Sequence, residues 1–316
     1  MNLSQARICI EKIHPTTIPV LKQNKGPLRA AFYTSFLWDK NSTISIGFLD
    51  TNPSIPRTSY SDIVNNAERN NLQVDPLQAV IDQYSIIDGI KKIVNDRWGQ
   101  LTDLKLEFTD PSSANIRISF DPTGGSWSLI GKDCLNQKTG ATLNFGWFDV
   151  ATTLHEFGHV MGMIHEHQNP YGNPIQWDTN KVYEWAKETQ GWDKATTDTN
   201  ILNKYDQDQI NGSVFDPQSI MLYFFPASLT LDNNGTQQNL RLSANDVIYV
   251  DKMYPDGTLT PSDFYEKMYN ESISQALQAA GNMANINIGR LALIGIVIIM
   301  IVIGLYVLIK FKMNKG

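Results

Sequence analysis

Residues 155–165 read His-Glu-Phe-Gly-His-Val-Met-Gly-Met-Ile-His, and no other stretch of the chain limits its fold as tightly. Five histidines exist in 316 residues, and four of them fall between positions 155 and 167. His155 and His159 are four apart, so on a helix both imidazoles share one face. Such a pair can bind one metal ion at about 2.0–2.1 Å. Glu156 stands next to the first ligand and can reach a water at the metal without ligating it. Gly162 can take the left-handed conformation that ends a helix and turns the chain sharply, which returns His165 as a third ligand. Three neutral imidazoles leave one coordination position open, the pattern of a catalytic zinc.

The chemistry follows from the ligand set. Zinc lowers the pKa of a coordinated water toward about 7 and polarises a carbonyl. Glu156 is the candidate base that takes the proton of that water and passes it to the leaving amine. The run therefore predicts a zinc metalloendopeptidase that acts on protein or peptide substrates.

Composition excludes other classes. The net charge is -6, and Lys and Arg cluster only at the C-terminal end, so nucleic acid is not an expected partner. Only Cys9 and Cys134 are present, which rules out a disulfide framework and CxxC sites. Cys9 reads as incidental rather than as a thiol that blocks the metal.

Apolar periodicity and turn residues give the element order. Strands are predicted over 42–49, 104–108, 115–120, 126–131 and 141–148. One long helix is predicted over 79–98, where Val80, Tyr84, Ile87, Ile90 and Val94 keep helical spacing. A second is predicted over 149–163 with Asp149 as its N-cap. Residues 169–221 read as loop-rich with short helical pieces. Ser243-Ala244-Asn245-Asp246 reads as a capping box that opens a helix to Tyr254. The order is an α+β pattern with a mixed twisted sheet, two long helices and an irregular C-terminal half.

His155 to His165 matches the metzincin signature HExxHxxGxxH. The continuation His165-Glu166 and the segment Ser219-Ile220-Met221-Leu222-Tyr223, preceded by Asp216, resemble the astacin family within that clan. The resemblance implies a metzincin-like catalytic domain with one zinc held by His155, His159 and His165. It implies that Met221 forms an apolar floor beneath the metal. It also implies that Tyr223 is an additional, switchable ligand whose hydroxyl stabilises the oxyanion. Asn115–Phe120, the Gly-Gly-Ser-Trp run at 124–127 and Asn144-Phe145-Gly146-Trp147 are similar to the compact bacterial and fungal members. By that resemblance, residues 126–131 are the edge strand that takes extended substrate by β-augmentation. Two features depart from the pattern. The paired disulfides of the animal enzymes cannot form here, and Leu222 stands where the family usually has His. Glu166 is expected in a local salt bridge or hydrogen bond, and His167 near the site or on the surface.

The C-terminal end carries a different signal. Residues 291–309 hold no charge, and at about 1.5 Å per residue they span roughly 30 Å, a hydrocarbon core. Arg290 bounds one side, and Lys310, Lys312 and Lys315 the other. The expected layout is a leader at 1–27, the protease domain at 28–255, a polar stalk at 256–289, a transmembrane helix at 290–310 and a basic tail at 311–316. No cleavable signal sequence is read at the N-terminus, which places the protease domain in the cytosol. The lysines after the span favour the opposite orientation, so the side of the catalytic domain stays open, and a viral envelope protein with an atypical insertion route would reconcile the signals. The rival reading is a catalytically silent, protease-like binding protein of a membrane or viral envelope. The presence of both Glu156 and Tyr223 argues against it.

Overall fold

The structure is a computed structural model that describes residues 9–12, 30–206, 210–211 and 214–284. The chain divides into two compact units, Met1–Thr260 and Pro261–Gly316. The first unit is built on a six-stranded mixed sheet. Its strands are β1 (Cys9–Lys12), β3 (Thr43–Phe48), β4 (Lys105–Phe108), β5 (Ile116–Ser119), β6 (Ser126–Leu129) and β7 (Leu143–Asn144), in the order β1-β6-β7-β5-β3-β4. β4, β3, β5 and β7 pair in parallel, β6 is antiparallel to β7, and β1 is parallel to β6. A separate two-stranded pair joins β2 (Ala30–Tyr33) to β8 (Ile210–Asn211).

Alternation sets the buried face of the sheet. Ile44 and Ile46 of β3 and Ile116 and Ile118 of β5 are all buried, with Ile46 in register with Ile116. Two of the expected strands are shorter than their patterns. In β7 only Leu143 and Asn144 pair, where a strand over 141–148 is expected. Pairing ends after Asn144, where Gly146 N donates to Ser126 Oγ at 3.1 Å and Phe148 N to the Pro56 carbonyl at 2.8 Å. The Asn144 side chain donates to the carbonyls of Asp121 and Gly125 at 3.0 and 2.6 Å and accepts from Asp121 N at 2.8 Å. It ties the 121–125 turn to the sheet. β6 stops at Leu129 and is not the outer strand, because β1, from the segment expected to be a leader, lies beyond it with Ile10 opposite Trp127.

The first helix, α1 (Tyr60–Asn70), is capped by Ser59 and ends at Asn71 with φ 53°. The helix expected over 79–98 is broken into pieces. Short 3-10 turns cover Pro76–Ala79 and Ile81–Gln83, and the α-helix itself, α2, runs only over Ile86–Asp96. Ser85 accounts for the start: its Oγ accepts from Asp88 N at 3.1 Å, a cap whose own backbone is extended. α2 buries Ile86, Ile90, Ile93 and Val94 along one stripe, each such side chain contributing about 1.5–3 kcal/mol by leaving water. Just after α2, Arg97 forms a fully buried, two-pronged ion pair with Asp75 at 2.7 and 2.8 Å.

α3 (Val150–Val160) carries the first two histidines and is buried along its whole length. Asp149 caps it, accepting from Thr152 N at 2.7 Å. The helix ends at Val160 rather than at the expected 163, because Gly162 takes φ 94°. Its terminal carbonyls find distant donors: Trp38 Nε1 donates to Val160 O at 2.7 Å and the Tyr254 hydroxyl to Met161 O at 2.8 Å.

The later half is more regular than the expected loop-rich tract. α4 (Thr179–Gln190) is twelve residues long, capped by Asp178 and closed by Gly191 at φ 69°. α5 (Ala244–Met253) opens on the predicted capping box, with Ser243 and Asp246 bonding reciprocally. In the second unit, Pro261–Ala284 is a single helix, α6, within the segment expected as a stalk. Among the described residues no helix is long and apolar enough to cross a membrane. The expected transmembrane helix at 290–310 lies outside the described residues, as does the basic tail.

Candidate active site

The residues singled out from the sequence converge on α3 and the turn that follows it. The rings of His155 and His159 lie 5.0 Å apart on one helix face. His155 Nδ1 donates to the carbonyl of Ile220, and His159 Nδ1 to that of Met163, each at 2.8 Å. A carbonyl only accepts, so these bonds put the proton of each ring on Nδ1 and leave the Nε2 lone pairs free to ligate. His165 returns from the Gly162 turn with its Nε2 at 3.0 Å from His159 Nε2. The ligand nitrogens of the three histidines lie within 4.8 Å of one another, and all three residues are buried. His155 Nε2 is buried without a hydrogen-bond partner. A polar atom stranded in this way at the meeting point of three imidazoles fits one zinc ion.

Electrostatics favour the same reading. Burial pushes His155 down to about 4 and holds His159 and His165 well below the usual histidine range, where neighbouring histidines add to the effect. The rings are therefore neutral near pH 7, the state that ligates metal.

The Met221 segment braces the ligands, and Asp246 organises it. The carboxylate accepts from Ser219 Oγ at 2.7 Å, Ile220 N at 2.8 Å and Ser243 N at 2.9 Å. Ile220 thus presents to His155 the carbonyl that orients its ring. Met221 is fully buried, and its sulfur packs against Gly158 within α3; a Cβ at 158 would overlap it. Leu222 is buried as well and takes no part in the histidine cluster.

Tyr223 is buried with its ring 4.2 Å from His165 and 5.4 Å from His155. Its carbonyl accepts from Thr236 Oγ1. Glu156 is buried on α3 between the two helical ligands. Glu166 is hydrogen-bonded: it accepts from Asp216 N at 2.7 Å and Asn169 Nδ2 at 2.9 Å. Burial raises its carboxyl to about 8 against the pull of those bonds. His167 is not on the surface but fully buried, its ring 5.3 Å from His165.

Gly158, Asp246, Trp38 and Tyr254 have no role at the site that the sequence announces. All of them act on the ligand helix or on the segment packed against it. Only Gly158 leaves a local trace, since a glycine inside a helix costs about 1 kcal/mol against alanine and calls for a packing reason.

Comparisons with known proteins agree with the geometry. A structure of myroilysin superposes with a TM-score of 0.57 at 29% identity, covering 71% of this chain and 98% of the other. A second myroilysin crystal structure gives 0.51 at 27% identity, covering 81% and 94%. No match appears among curated proteins. The sequence pattern of the Astacin peptidase family matches residues 90–254, just over half of the chain. The chain belongs to the astacin family and is a zinc metalloendopeptidase with one catalytic zinc at His155, His159 and His165.

Proposed function

We propose that peptide-bond hydrolysis is carried by Glu156 as general base and acid and by Tyr223 as oxyanion donor. The observation that supports this most directly is the packing of Tyr223 against two of the three zinc ligands, with Glu156 buried on the ligand helix. A bound zinc supplies the Lewis acid and the acidified water. Glu156 takes the proton of the attacking water and hands it to the departing amine. The Tyr223 hydroxyl donates to the oxygen that gains charge as the carbonyl carbon becomes tetrahedral. The buried surroundings strengthen both interactions.

Extended substrate pairs along the side of β6 remote from β7. That side carries β1 in this structure, so substrate and β1 compete for the same backbone groups. The protease domain spans 28–255, and residues 291–309 anchor the chain to a membrane as a single C-terminal span. The support for the anchor is the uncharged apolar run with its flanking Arg290, Lys310, Lys312 and Lys315. Protease protection of the intact protein in membranes reads which face the site works on.

The catalytic assignment is tested by Glu156→Gln and Tyr223→Phe in the full chain. Glu156→Gln keeps stoichiometric zinc and loses about two to four orders of magnitude in kcat. Tyr223→Phe keeps zinc and KM and loses about two orders. Retention of wild-type kcat by either variant removes that residue from the mechanism.

A further inference from the structure

His167 is the only described histidine outside the metal cluster. It stands outside that cluster, with Nε2 3.0 Å from the carbonyl of Asn200. A carbonyl fixes the proton on Nε2, so Nδ1 is a bare acceptor, and it is buried without a hydrogen-bond partner. An apolar ring here would take the Nε2 donor away from the Asn200 carbonyl, so the histidine both packs among its neighbours and ties its ring to Asn200.

The ring contacts show what the position does. The His167 ring is 5.2 Å from Tyr223, 5.3 Å from His165 and 5.0 Å from Phe225. Tyr223 is therefore flanked by two ligand rings and by His167, and its main chain is held at the carbonyl by Thr236. With the carbonyl held there, the readiest freedom of the phenol is side-chain rotation. His167 itself does not yield. Its carbonyl accepts from Asn173 Nδ2 at 2.6 Å, and its ring is held by Asn200. Asn200 lies in a π-helical turn, Asp198–Leu202, of a kind frequent at functional sites. The neighbouring Gln168 clamps the same turn through the carbonyls of Thr199 and Asn203.

We propose that His167 is a positioning residue for Tyr223: hydrogen-bonded to the π-turn, it forms the fixed wall that sets the rotational position of the phenol beside the third zinc ligand. This rests on the role of Tyr223 proposed above. Its consequence is specific. Loosening His167 lowers the fraction of molecules with the hydroxyl in place, and so lowers kcat without altering zinc or substrate binding.

The test is a double-mutant cycle on the full chain with a fluorogenic peptide, using His167→Phe, Tyr223→Phe and both together. His167→Gln serves as the variant that keeps an N–H donor for Asn200 and carries the cycle if the Phe variant does not fold. We expect His167→Phe to lower kcat about tenfold, with KM within about twofold and one zinc retained, and His167→Gln to recover part of the loss. In the Tyr223→Phe background, the same change should cost nothing further. An equal loss in both backgrounds, or no loss in wild type, overturns the proposal. Wild-type kcat in Tyr223→Phe alone instead overturns the role of Tyr223, and this inference with it.

Discussion

Asp246 lies far along the chain from the ligand helix, yet in space its carboxylate holds the backbone that orients His155. Asp246→Ala removes the acceptor for two buried backbone donors, Ile220 N and Ser243 N, and for the Ser219 hydroxyl. Each stranded buried donor costs about 1–3 kcal/mol, and the hydroxyl can rotate to another acceptor, so the two amides set a loss of about 4 kcal/mol. The Ile220 carbonyl then loses its fixed position, and loss of such an outer partner weakens metal binding about 10–100-fold. Asp246→Asn separates shape from charge. Its oxygen can take both backbone donors while its amide faces Ser219 Oγ. Burial raises the Asp246 carboxyl from 3.8 to about 6. The folded state therefore holds a proton on Asp246 that the unfolded state releases between those values, and the contribution of this group to stability falls as pH rises through that window. At about 1.4 kcal/mol per unit the loss is about 3 kcal/mol over the whole window and about 2 kcal/mol between about pH 4.5 and 7, and Asn escapes it. Denaturant melts of the chelator-stripped protein at about pH 4.5 and 7, with competitive zinc titrations, check both parts. At about pH 4.5, where the carboxyl is protonated, Asp246→Ala melting within about 1 kcal/mol of wild type, with zinc affinity unchanged at about pH 7, would refute the bracing role. Failure of Asp246→Asn to gain on wild type as pH rises would refute the charge cost.

Three further outcomes are expected. Gly158→Ala forces Met221 aside and costs about 1–3 kcal/mol by overpacking; adding Met221→Ala relieves part of that, as paired thermal melts would show. Tyr254→Phe strands the Met161 carbonyl and the Trp38 amide and destabilises by about 2–4 kcal/mol in denaturant melts, with KM unchanged. A chain that starts at residue 28 lacks β1 and should gain about tenfold in kcat/KM on extended peptides, with little change on very short ones. Equal gains or none would show that substrate does not lie along β6.

Residues close in sequence carry most of what can be foreseen. The zinc triad is legible because ligand, base, bend and returning ligand all fall within 155–165, and a helix and one glycine turn are enough to bring them together. The capping box at Ser243 and Asp246 is legible for the same reason. The start of α2 is obscured, although Ser85 and Asp88 mark it, because Val80 and Tyr84 continue the apolar spacing upstream. α4 is understated by its polar surface, although Asp178 and Gly191 mark both its ends. The second duty of Asp246, and the duties of Trp38 and Tyr254, leave no local trace. They depend on contacts 26, 122 and 93 residues away, which only the folded chain specifies. β1 is hidden for a related reason: four residues carry no decisive period, and their place is set by the partner strand.

Zinc content measured together with chelator-reversible proteolysis on the full chain tests the zinc-peptidase assignment most directly. One zinc per chain is expected, with casein cleavage abolished by a zinc chelator and restored by stoichiometric zinc, and with zinc lost when His155, His159 or His165 is replaced by Ala. A folded chain that binds one zinc and cleaves neither casein nor a peptide library, with β1 present or removed, would contradict it.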